Sequence, residues 1–534
     1  MNDINVMNDI NFLIDEISLK LSLETDKKKI TPINSIKITM DLLDEHSFIK
    51  KTFEKYYSVF KNDKRFVHLY DVVTNNKYMQ QIILSNNHYD NPLLNIYFII
   101  GNPHLFHLDI FNIVYENRNF IKHIPYVIKK AWNYIINSDL KKYFNQVLID
   151  KWLKNLEFKM LTIDDILHNN DNTMKEYKKY VEIFALFRQA TDEVITFVLD
   201  LKKIVTSTQN PGGCINLGEN YYLTFQKTYS GLSLDNKKLI ILVKFAQKEL
   251  TNLLGEMKNI LINIYPVVET MNSCEMISFL QNLKDHRYKS REEYISHHAS
   301  IMKDMEKYFI DDKNIKQFVS PRIVVIDNHG LGGAYWAYDT FYLNVCNWKN
   351  INKYQALSLT LHEAIPGHHT QVSYQMHSLS DGYDLLYDWF GTTSGFHEGW
   401  ALFAEKLAPK YTEMEKIGRI QYEILRTIRV IVDISLHGAG IPSDEIKQFM
   451  QKYLVVPETV IESEIYRYTV LPGQASGYKI GETIFRKIHK KILPEHDYLS
   501  DESFDLYKKI LYSKAKPLDL LLDDFGMTFD EIFS

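Results

Sequence analysis

Two short clusters of histidine and glutamate carry the residue types that bind and use a metal ion. Residues 361–369 read Leu-His-Glu-Ala-Ile-Pro-Gly-His-His, and residues 396–400 read Phe-His-Glu-Gly-Trp. A catalytic zinc ion takes three protein ligands and keeps a fourth position for water, whose pKa it lowers to about 7. Glu363, which directly follows His362, could accept that water's proton as a general base. The two clusters together predict a hydrolase with one zinc ion, with a distant carboxylate completing the site.

The spacing of the histidines is not that of a regular zinc-binding helix. Four residues after His362 comes Pro366, and the next imidazoles belong to His368 and His369. Six residues turn a helix by about 600°, so His368 would face away from His362, while His369 would lie about 10.5 Å further along the axis. Pro366 lacks the N–H that an unbroken helix needs, and Gly367 tolerates unusual dihedral angles. We therefore predict a broken helix, which could turn His368 back toward His362.

The two clusters also resemble a known family. His-Glu-Ala-x-Pro-Gly-His-His followed by Glu-Gly-Trp-Ala-Leu-(aromatic)-Ala-Glu resembles the DUF885 family, which looks like a distant branch of the gluzincin metallopeptidases. In gluzincins, two histidines of a His-Glu motif and a downstream glutamate bind zinc. The resemblance implies that His362, one of His368 and His369, and Glu398 bind the metal, with Glu363 as the base. The Gly-His pair that contains His368 looks like the Gly-His of the oligopeptidase motif with two residues inserted, which favours His368.

Two later segments extend this resemblance. Residues 429–437 resemble the family's Arg-Leu-Val-Val-Asp-Thr-Gly-(apolar)-His segment, and residues 467–481 resemble its Arg-Tyr…Pro-Gly-Gln-Ala…Tyr…Gly block. The resemblance covers roughly residues 205–520, and the chain departs from the pattern at Ile-Ser 434–435 and Ser-Gly 476–477. Neither departure falls on an expected ligand.

The block at 467–481 contains the side chains expected to act on the substrate. Tyr468 and Tyr478 are candidate catalytic residues because a phenol can donate to a developing oxyanion. Arg467 would bind either a substrate carboxylate or Glu464, three residues earlier. An ordinary structural role for each of them is the alternative.

A carboxylate outside the ligand set has a possible role beside the metal. Glu405 lies seven residues after Glu398, which places both on one face of a helix. It could orient a ligand histidine through a hydrogen bond. A solvated glutamate is the alternative.

The composition is typical of a soluble intracellular enzyme. The chain has 534 residues, which favours two lobes rather than one core, and its 62 Lys+Arg and 67 Asp+Glu give a net charge of −5 without long blocks of one sign. This balance argues against nucleic-acid and membrane partners. Three separated cysteines do not predict a disulfide framework. We expect a cytoplasmic location, because the sequence has neither a signal-peptide pattern nor an apolar run long enough to span a bilayer.

Helical periodicity dominates the pattern. Apolar residues at alternating steps of three and four predict a helix of about seven turns over residues 180–205, with Thr191 in the one polar slot. A second long helix is expected from about Lys237 to Tyr265, where Pro266 follows.

The loop-like segment 206–213, Thr-Ser-Thr-Gln-Asn-Pro-Gly-Gly, is the predicted boundary between two parts of the chain. We expect an N-terminal helical lobe over residues 1–205 and the catalytic region with the zinc motif over residues 206–534.

A small β-structure is expected between the long helices and the zinc motif. Arg322–Ile326 has the strongest strand signal and would pair with residues 340–345 in a hairpin. The glycines between them, at 330, 332 and 333, do not have dinucleotide-binding spacing. The segment is either an edge to which an extended peptide adds as a strand, or an ordinary hairpin.

These observations predict a mainly α-helical metallopeptidase-like fold of two lobes around a cleft, with a small β-hairpin or sheet near the zinc site. The expected activity is that of a zinc peptidase of gluzincin type acting on a peptide. One alternative is a catalytically inactive binding protein of the same fold. The other is a zinc amidase acting on a small, non-protein amide.

Overall fold

The fold is mainly helical with one small sheet, in agreement with the expected fold class. A computed structural model describes residues 2–21, 46–75, 124–168, 181–205, 214–313, 321–327, 334–337, 340–346, 348–377, 382–391 and 393–534, with short pieces at 23, 37–38, 41–42, 44 and 315. Within these ranges, no helix is both long enough and apolar enough to cross a membrane.

We number the α-helices and β-strands of the described residues in chain order. The helices before the sheet are α1 Asn2–Leu21, α2 Phe48–Phe60, α3 Lys64–Thr74, α4 Ile124–Asn137, α5 Gln146–His168, α6 Val181–Ile204, α7 Glu219–Ser230, α8 Asn236–Ile264, α9 Ser273–Asn282 and α10 Arg291–Glu306. The strands are β1 Arg322–Ile326, β2 Ala334–Ala337 and β3 Thr340–Asn344. The later helices are α11 Ala356–Glu363, α12 His368–His377, α13 Tyr383–Phe390, α14 Ser394–Ala404, α15 Glu413–Gly438, α16 Ser443–Tyr453, α17 Glu458–Val470, α18 Gln474–Ile492, α19 Asp501–Tyr512, α20 Leu518–Asp524 and α21 Phe529–Phe533. Shorter 3-10 and π-helical turns are Asp139–Tyr143, Cys214–Leu217, Pro266–Thr270, Lys307–Asp312, Trp348–Asn350 and Lys353–Gln355.

Both predicted long helices are present. The described apolar side chains of the α6 stripe, Phe184, Val194, Val198 and Leu201, are buried, and Thr191 in the polar slot is buried with them. Helix α8 begins after Asp235, whose carboxylate accepts a hydrogen bond from the Lys238 backbone N–H, and it ends before Pro266. Tyr180, the first residue of the predicted helix at 180–205, lies outside the described residues.

Three hydrophobic cores organise the described residues. The largest contains apolar side chains of α4 to α9 together with those of α15 to α18. The second joins α1, α2 and α3 to α13. The third packs Tyr288 and Tyr294 against Phe341 and Leu343 of β3. The predicted boundary segment 206–213 lies outside the described residues, so the division into lobes at residue 205 stays a prediction.

The sheet differs from the expected hairpin. Strands β1 and β3 do pair, from Arg322↔Thr340 to Ile326↔Asn344, but they run parallel. The antiparallel partner of β3 is β2, and the strand order is β1-β3-β2. The prediction of a β1–β3 hairpin was wrong because part of the connector forms a strand and returns the chain beside β3. The glycine-rich connector 328–333 lies outside the described residues.

The longest helix near the zinc motif is α15, which crosses the large core. It begins with a capping box, in which Thr412 and Glu415 each accept a hydrogen bond from the other's backbone N–H. Helix α15 packs along α8 on one side and against α18 on another. Several of its buried residues are polar, among them Arg426 and Arg429, and these two lie near the site described next.

Candidate metal centre

The histidine motif folds as the predicted broken helix. Helix α11 ends at Glu363, and α12 begins at His368. Gly367 lies in the break, where a Cβ atom would be 1.9 Å from the carbonyl oxygen of His362, so only glycine fits this close approach. The indole N–H of Trp400 donates to the carbonyl oxygen of Pro366 at 2.9 Å. The break therefore folds back on α11 and is held by the second motif.

This break brings His362, His368 and Glu398 together. One ligand atom from each lies within 4.8 Å of the others. Oε2 of Glu398 is 3.6 Å from Nε2 of His362 and 3.4 Å from Nε2 of His368. Atoms that bind a tetrahedral zinc ion at about 2.1 Å lie about 3.4 Å from one another. The two imidazoles and the carboxylate thus have the chemistry and the spacing of a zinc site, and His368 and Glu398 are partly exposed.

His369 is not part of this cluster. It is buried, and its ring centroid lies 6.5 Å from that of Trp336 on β2. The histidine that lies beside His362 and Glu398 is therefore His368, which the resemblance favours, and not His369.

Glycine contacts between two helices position Glu398. Gly399 follows Glu398 on α14, and a Cβ atom there would lie 2.4 Å from the Cα atom of Gly481 on α18. A Cβ atom on Gly481 would in turn lie 2.1 Å from the carbonyl oxygen of Gly395. The two backbones touch because neither side has a side chain here. The same crossing places Tyr478 of α18 near the histidine cluster.

Glu405 makes the contact with a ligand histidine that its position suggested. Its Oε1 atom lies 2.8 Å from Nδ1 of His362, and both side chains are buried. Burial acts to lower the pKa of His362, but hydrogen bonds to Glu398 and Glu405 outweigh it and raise that pKa to about 9. Burial acts to raise the pKa of Glu398, but hydrogen bonds to His362 and His368 hold it well below its ordinary value. The carboxylates therefore favour positive charge at this site.

Glu363, the expected base, is the last residue of α11 and is 8% exposed. Its negative charge helps to raise the pKa of the adjacent His362, and it adds to burial in raising the pKa of the Tyr422 hydroxyl on α15. Its role as a base stays a prediction.

The block at 467–481 divides between the site and a neighbouring ion cluster. The Tyr478 ring lies nearly parallel to the His362 ring, with centroids 6.4 Å apart and planes at 11°. The Tyr468 hydroxyl instead donates to Oε2 of Glu464 at 2.6 Å. Arg467 reaches the same oxygen at 3.1 Å, so of its two expected partners it contacts Glu464. The catalytic and substrate-binding roles of these residues stay predictions.

Sequence reasoning missed Tyr422 and Arg426 on α15, although the family resemblance included Arg429 and Asp433. The four residues follow one another at steps of four, three and four, which places them on one helical face. The guanidinium carbon of Arg429 lies 4.6 Å from the centroid of the Tyr478 ring, and that of Arg426 lies 5.8 Å from it. The helical spacing of these residues is visible in the sequence. Their proximity to His362 is not, because it depends on how α15 packs against α11 and α18.

Comparisons with known proteins show the family and the fold. A family model described as "Bacterial protein of unknown function (DUF885)" matches residues 145–508. No curated protein matches the chain.

Two solved structures share the fold. "The crystal structure of the putative lipoprotein from Colwellia psychrerythraea" has a TM-score of 0.71 and 16% identity, covering 99% of this chain and 100% of that one. "The structure of a putative lipoprotein of unknown function from Shewanella oneidensis" has a TM-score of 0.61 and 15% identity, covering 96% of this chain and 97% of that one. At these identities the likeness concerns the fold alone. The family match spans more than half of the chain, and the protein therefore belongs to the DUF885 family.

Proposed function

We propose that this protein is a zinc-dependent metallohydrolase, and specifically a peptidase of gluzincin type. The observation that carries the proposal is the convergence of His362, His368 and Glu398 at the spacing of tetrahedral zinc ligands. A glutamate beside the first ligand, Glu363, and a carboxylate on that ligand's other nitrogen, Glu405, add the remaining elements of a hydrolytic site.

Each residue has a distinct part in this proposal. His362, His368 and Glu398 would hold one zinc ion per chain, and Glu405 fixes the orientation of the His362 ring. The ion would supply Lewis acidity and a water of lowered pKa. Glu363 would accept the proton of the attacking water and deliver it to the nitrogen of the leaving amine.

The oxyanion donor in this proposal is Tyr478 rather than Tyr468. The Tyr478 ring lies nearly parallel to the His362 ring. After burial, the charge of Glu398 is the next largest influence that raises the pKa of the Tyr478 hydroxyl. Burial is the largest influence, and it raises the pKa of Tyr478 to about 12, so the phenol keeps its proton at neutral pH and can donate it in a hydrogen bond. Tyr478 is partly exposed, whereas Tyr468 is fully buried and its hydroxyl already donates to Glu464.

A peptide is the preferred substrate because an edge strand lies beside the motif helix. Strand β2 is at the edge of the sheet and packs against α11. An extended peptide could add to such an edge through main-chain hydrogen bonds. Small non-protein amides and a catalytically inactive binding protein are the competing proposals. A location in the cytoplasm and the absence of nucleic-acid and membrane partners also belong to the proposal.

The adjacent histidines supply a matched experiment. We expect one zinc ion per chain in the purified protein by elemental mass spectrometry, strong loss of zinc in His368→Gln, and retention of zinc in His369→Gln. Hydrolysis is measured by incubating the zinc-loaded protein with a randomised peptide library and identifying new termini by mass spectrometry.

The two readouts separate the proposals. Zinc binding with peptide cleavage supports the peptidase. Zinc binding without cleavage of any peptide would contradict it and favour the amidase or the inactive binding protein. A wild-type protein that binds no zinc would overturn the metal centre itself.

A further inference from the structure

A second feature of the site concerns the substrate. Arg426 on α15 is only 7% exposed, and its Nε and Nη1 atoms have no hydrogen-bond partner among the residues that the structure describes. Burial of a charged group is destabilising unless a partner compensates for the lost hydration. Arg426 therefore differs from an ordinary core residue.

Four other buried or partly buried arginines of the described chain reach a glutamate. Arg419 pairs with Glu423 at 2.6 Å, and Arg429 pairs with Glu464 at 2.8 Å. Further pairs of this kind are Arg467–Glu464 and Arg486–Glu249. No comparable pair with a described carboxylate includes Arg426.

Aromatic rings hold Arg426 in place instead. Its guanidinium carbon lies 4.8 Å from the centroid of the Tyr422 ring and 5.8 Å from that of Tyr478. These cation–π contacts fix the guanidinium while leaving its N–H donors unused. Burial raises the pKa of the Tyr422 hydroxyl, and the negative charges of Glu405 and Glu363 add to this effect. Neither glutamate forms an ion pair with Arg426 in the described structure.

The local charge balance also favours an anion. Arg426, Arg429 and Arg467 lie around the rings of Tyr468 and Tyr478, and the carboxylate that pairs with two of them is that of Glu464. Nη1 of Arg429 likewise has no hydrogen-bond partner among the described residues. A carboxylate is the ligand that a buried guanidinium binds best, through two parallel N–H···O bonds.

We propose that Arg426 binds the free C-terminal carboxylate of the substrate, and that the protein removes residues from the carboxyl end of peptides. The inference rests on the peptidase function proposed above. Tyr478 lies between the two parts of the site, 5.8 Å from the Arg426 guanidinium and 6.4 Å from the His362 ring. An extended peptide spans about 3.3–3.6 Å per residue, so the released fragment is short, about one to three residues.

Paired substrates test this assignment. N-acetylated hexapeptide libraries are prepared as free acids and as C-terminal amides, and the fragments released by the zinc-loaded protein are identified by mass spectrometry. We expect the free acids to be cleaved about 10- to 100-fold faster, which corresponds to the usual strength of a hydrogen bond to a charged group. Arg426→Gln removes this preference by raising KM for the acids, and Arg426→Lys restores part of it. Equal rates for acids and amides, or an unchanged preference in Arg426→Gln with normal zinc content, would overturn the proposal.

A binding measurement separates this inference from the peptidase proposal. Glu363→Gln protein is mixed with N-acetyl-dipeptide acids and their amides, and binding is detected by saturation-transfer NMR. Stronger signals from the acids, lost on adding Arg426→Gln, support the carboxylate site even if no peptide is hydrolysed. Hydrolysis of peptides with equal binding of acids and amides would retain the peptidase and reject the role of Arg426.

Discussion

Nδ1 of His362 lies 2.8 Å from Oε1 of Glu405, while Nε2 of the same ring faces Glu398. A neutral imidazole carries one proton, and a carboxylate at Nδ1 holds that proton there. Nε2 is then left with the lone pair that a metal ion needs. This carboxylate–histidine pair supports the proposed metal centre.

Glu405→Gln tests this relationship. The amide keeps the shape but removes the negative charge, so we expect zinc affinity to fall by about 10- to 100-fold. The measurement is competition with a fluorescent chelator. Glu413→Gln, which changes an exposed glutamate, is the control and should bind zinc as the wild type does. Equal affinities for both variants would show that Glu405 does not influence the site.

Glu363→Gln separates chemistry from metal binding. Glutamine is nearly isosteric but cannot accept the proton of water, so zinc content should stay normal while turnover falls by at least about 10²-fold. Single-turnover hydrolysis of a peptide selected from the library screen measures this. A rate within a few-fold of the wild type would assign the base to another residue.

The two tyrosines should respond differently to removal of the hydroxyl. Tyr478→Phe should lower kcat by roughly 10²–10³-fold with unchanged zinc content, because an oxyanion donor is lost. Tyr468→Phe should instead lower stability by about 1.5–3 kcal/mol, because its buried hydroxyl donates to the charged Glu464. Steady-state kinetics and urea unfolding of both variants distinguish these effects. The reverse result would make Tyr468 the catalytic phenol.

The close contact between α14 and α18 predicts that a Gly→Ala substitution at Gly399 lowers the free energy of unfolding, whereas the same substitution at Gly255 does not. Gly399→Ala places Cβ 2.4 Å from the Gly481 Cα atom, so we expect a loss of roughly 1–3 kcal/mol or more in unfolding free energy and weaker zinc binding at the neighbouring Glu398. Gly255 lies within α8 with open space around its Cβ position, and Gly255→Ala should stabilise by about 0.5–1 kcal/mol. Urea unfolding checks both. Equal effects would mean that the helices are not in contact at Gly399.

Buried His298 predicts a pH dependence of stability. Thr360 donates its hydroxyl proton to the Ala356 carbonyl, so it accepts a hydrogen bond from Nδ1 of His298 at 2.8 Å. Burial lowers the pKa of His298 to about 3, from an ordinary value of 6.5. The unfolded chain therefore binds a proton below pH 6.5 that the folded protein does not bind until about pH 3. Stability from this residue is complete above pH 6.5 and falls by about 1.4 kcal/mol per pH unit below it.

His298→Asn should remove this contribution, because asparagine can donate to Thr360 without taking up a proton. Urea unfolding at pH 7, 6 and 5 measures the change in slope. His46→Asn, at an exposed histidine, serves as the control and should leave the slope unchanged. An unchanged slope in His298→Asn would show that this residue does not titrate as the structure indicates.

Local sequence determined the elements that carry the site. Proline and glycine at 366 and 367 cannot continue a regular helix, and the helix is broken there. Helical spacing placed Glu405 on the same face as Glu398, and the hydrogen bond of Glu405 to His362 follows from it. Apolar periodicity gave α6 and α8 because a buried stripe must repeat with the turn of the helix.

The tertiary structure decided which separate elements meet. The exact bend at the break selects His368 over His369, and the bend depends on Trp400 from another helix. The parallel pairing of β1 with β3 depends on β2, which has too few residues for a strong periodic signal. Arg426 carries no local sign that it lacks an ion-pair partner among the described residues, because that absence is a property of all the described elements packed around it. Periodicity reports only which face of an element is buried, whereas the composition of a site is set by long-range packing between elements.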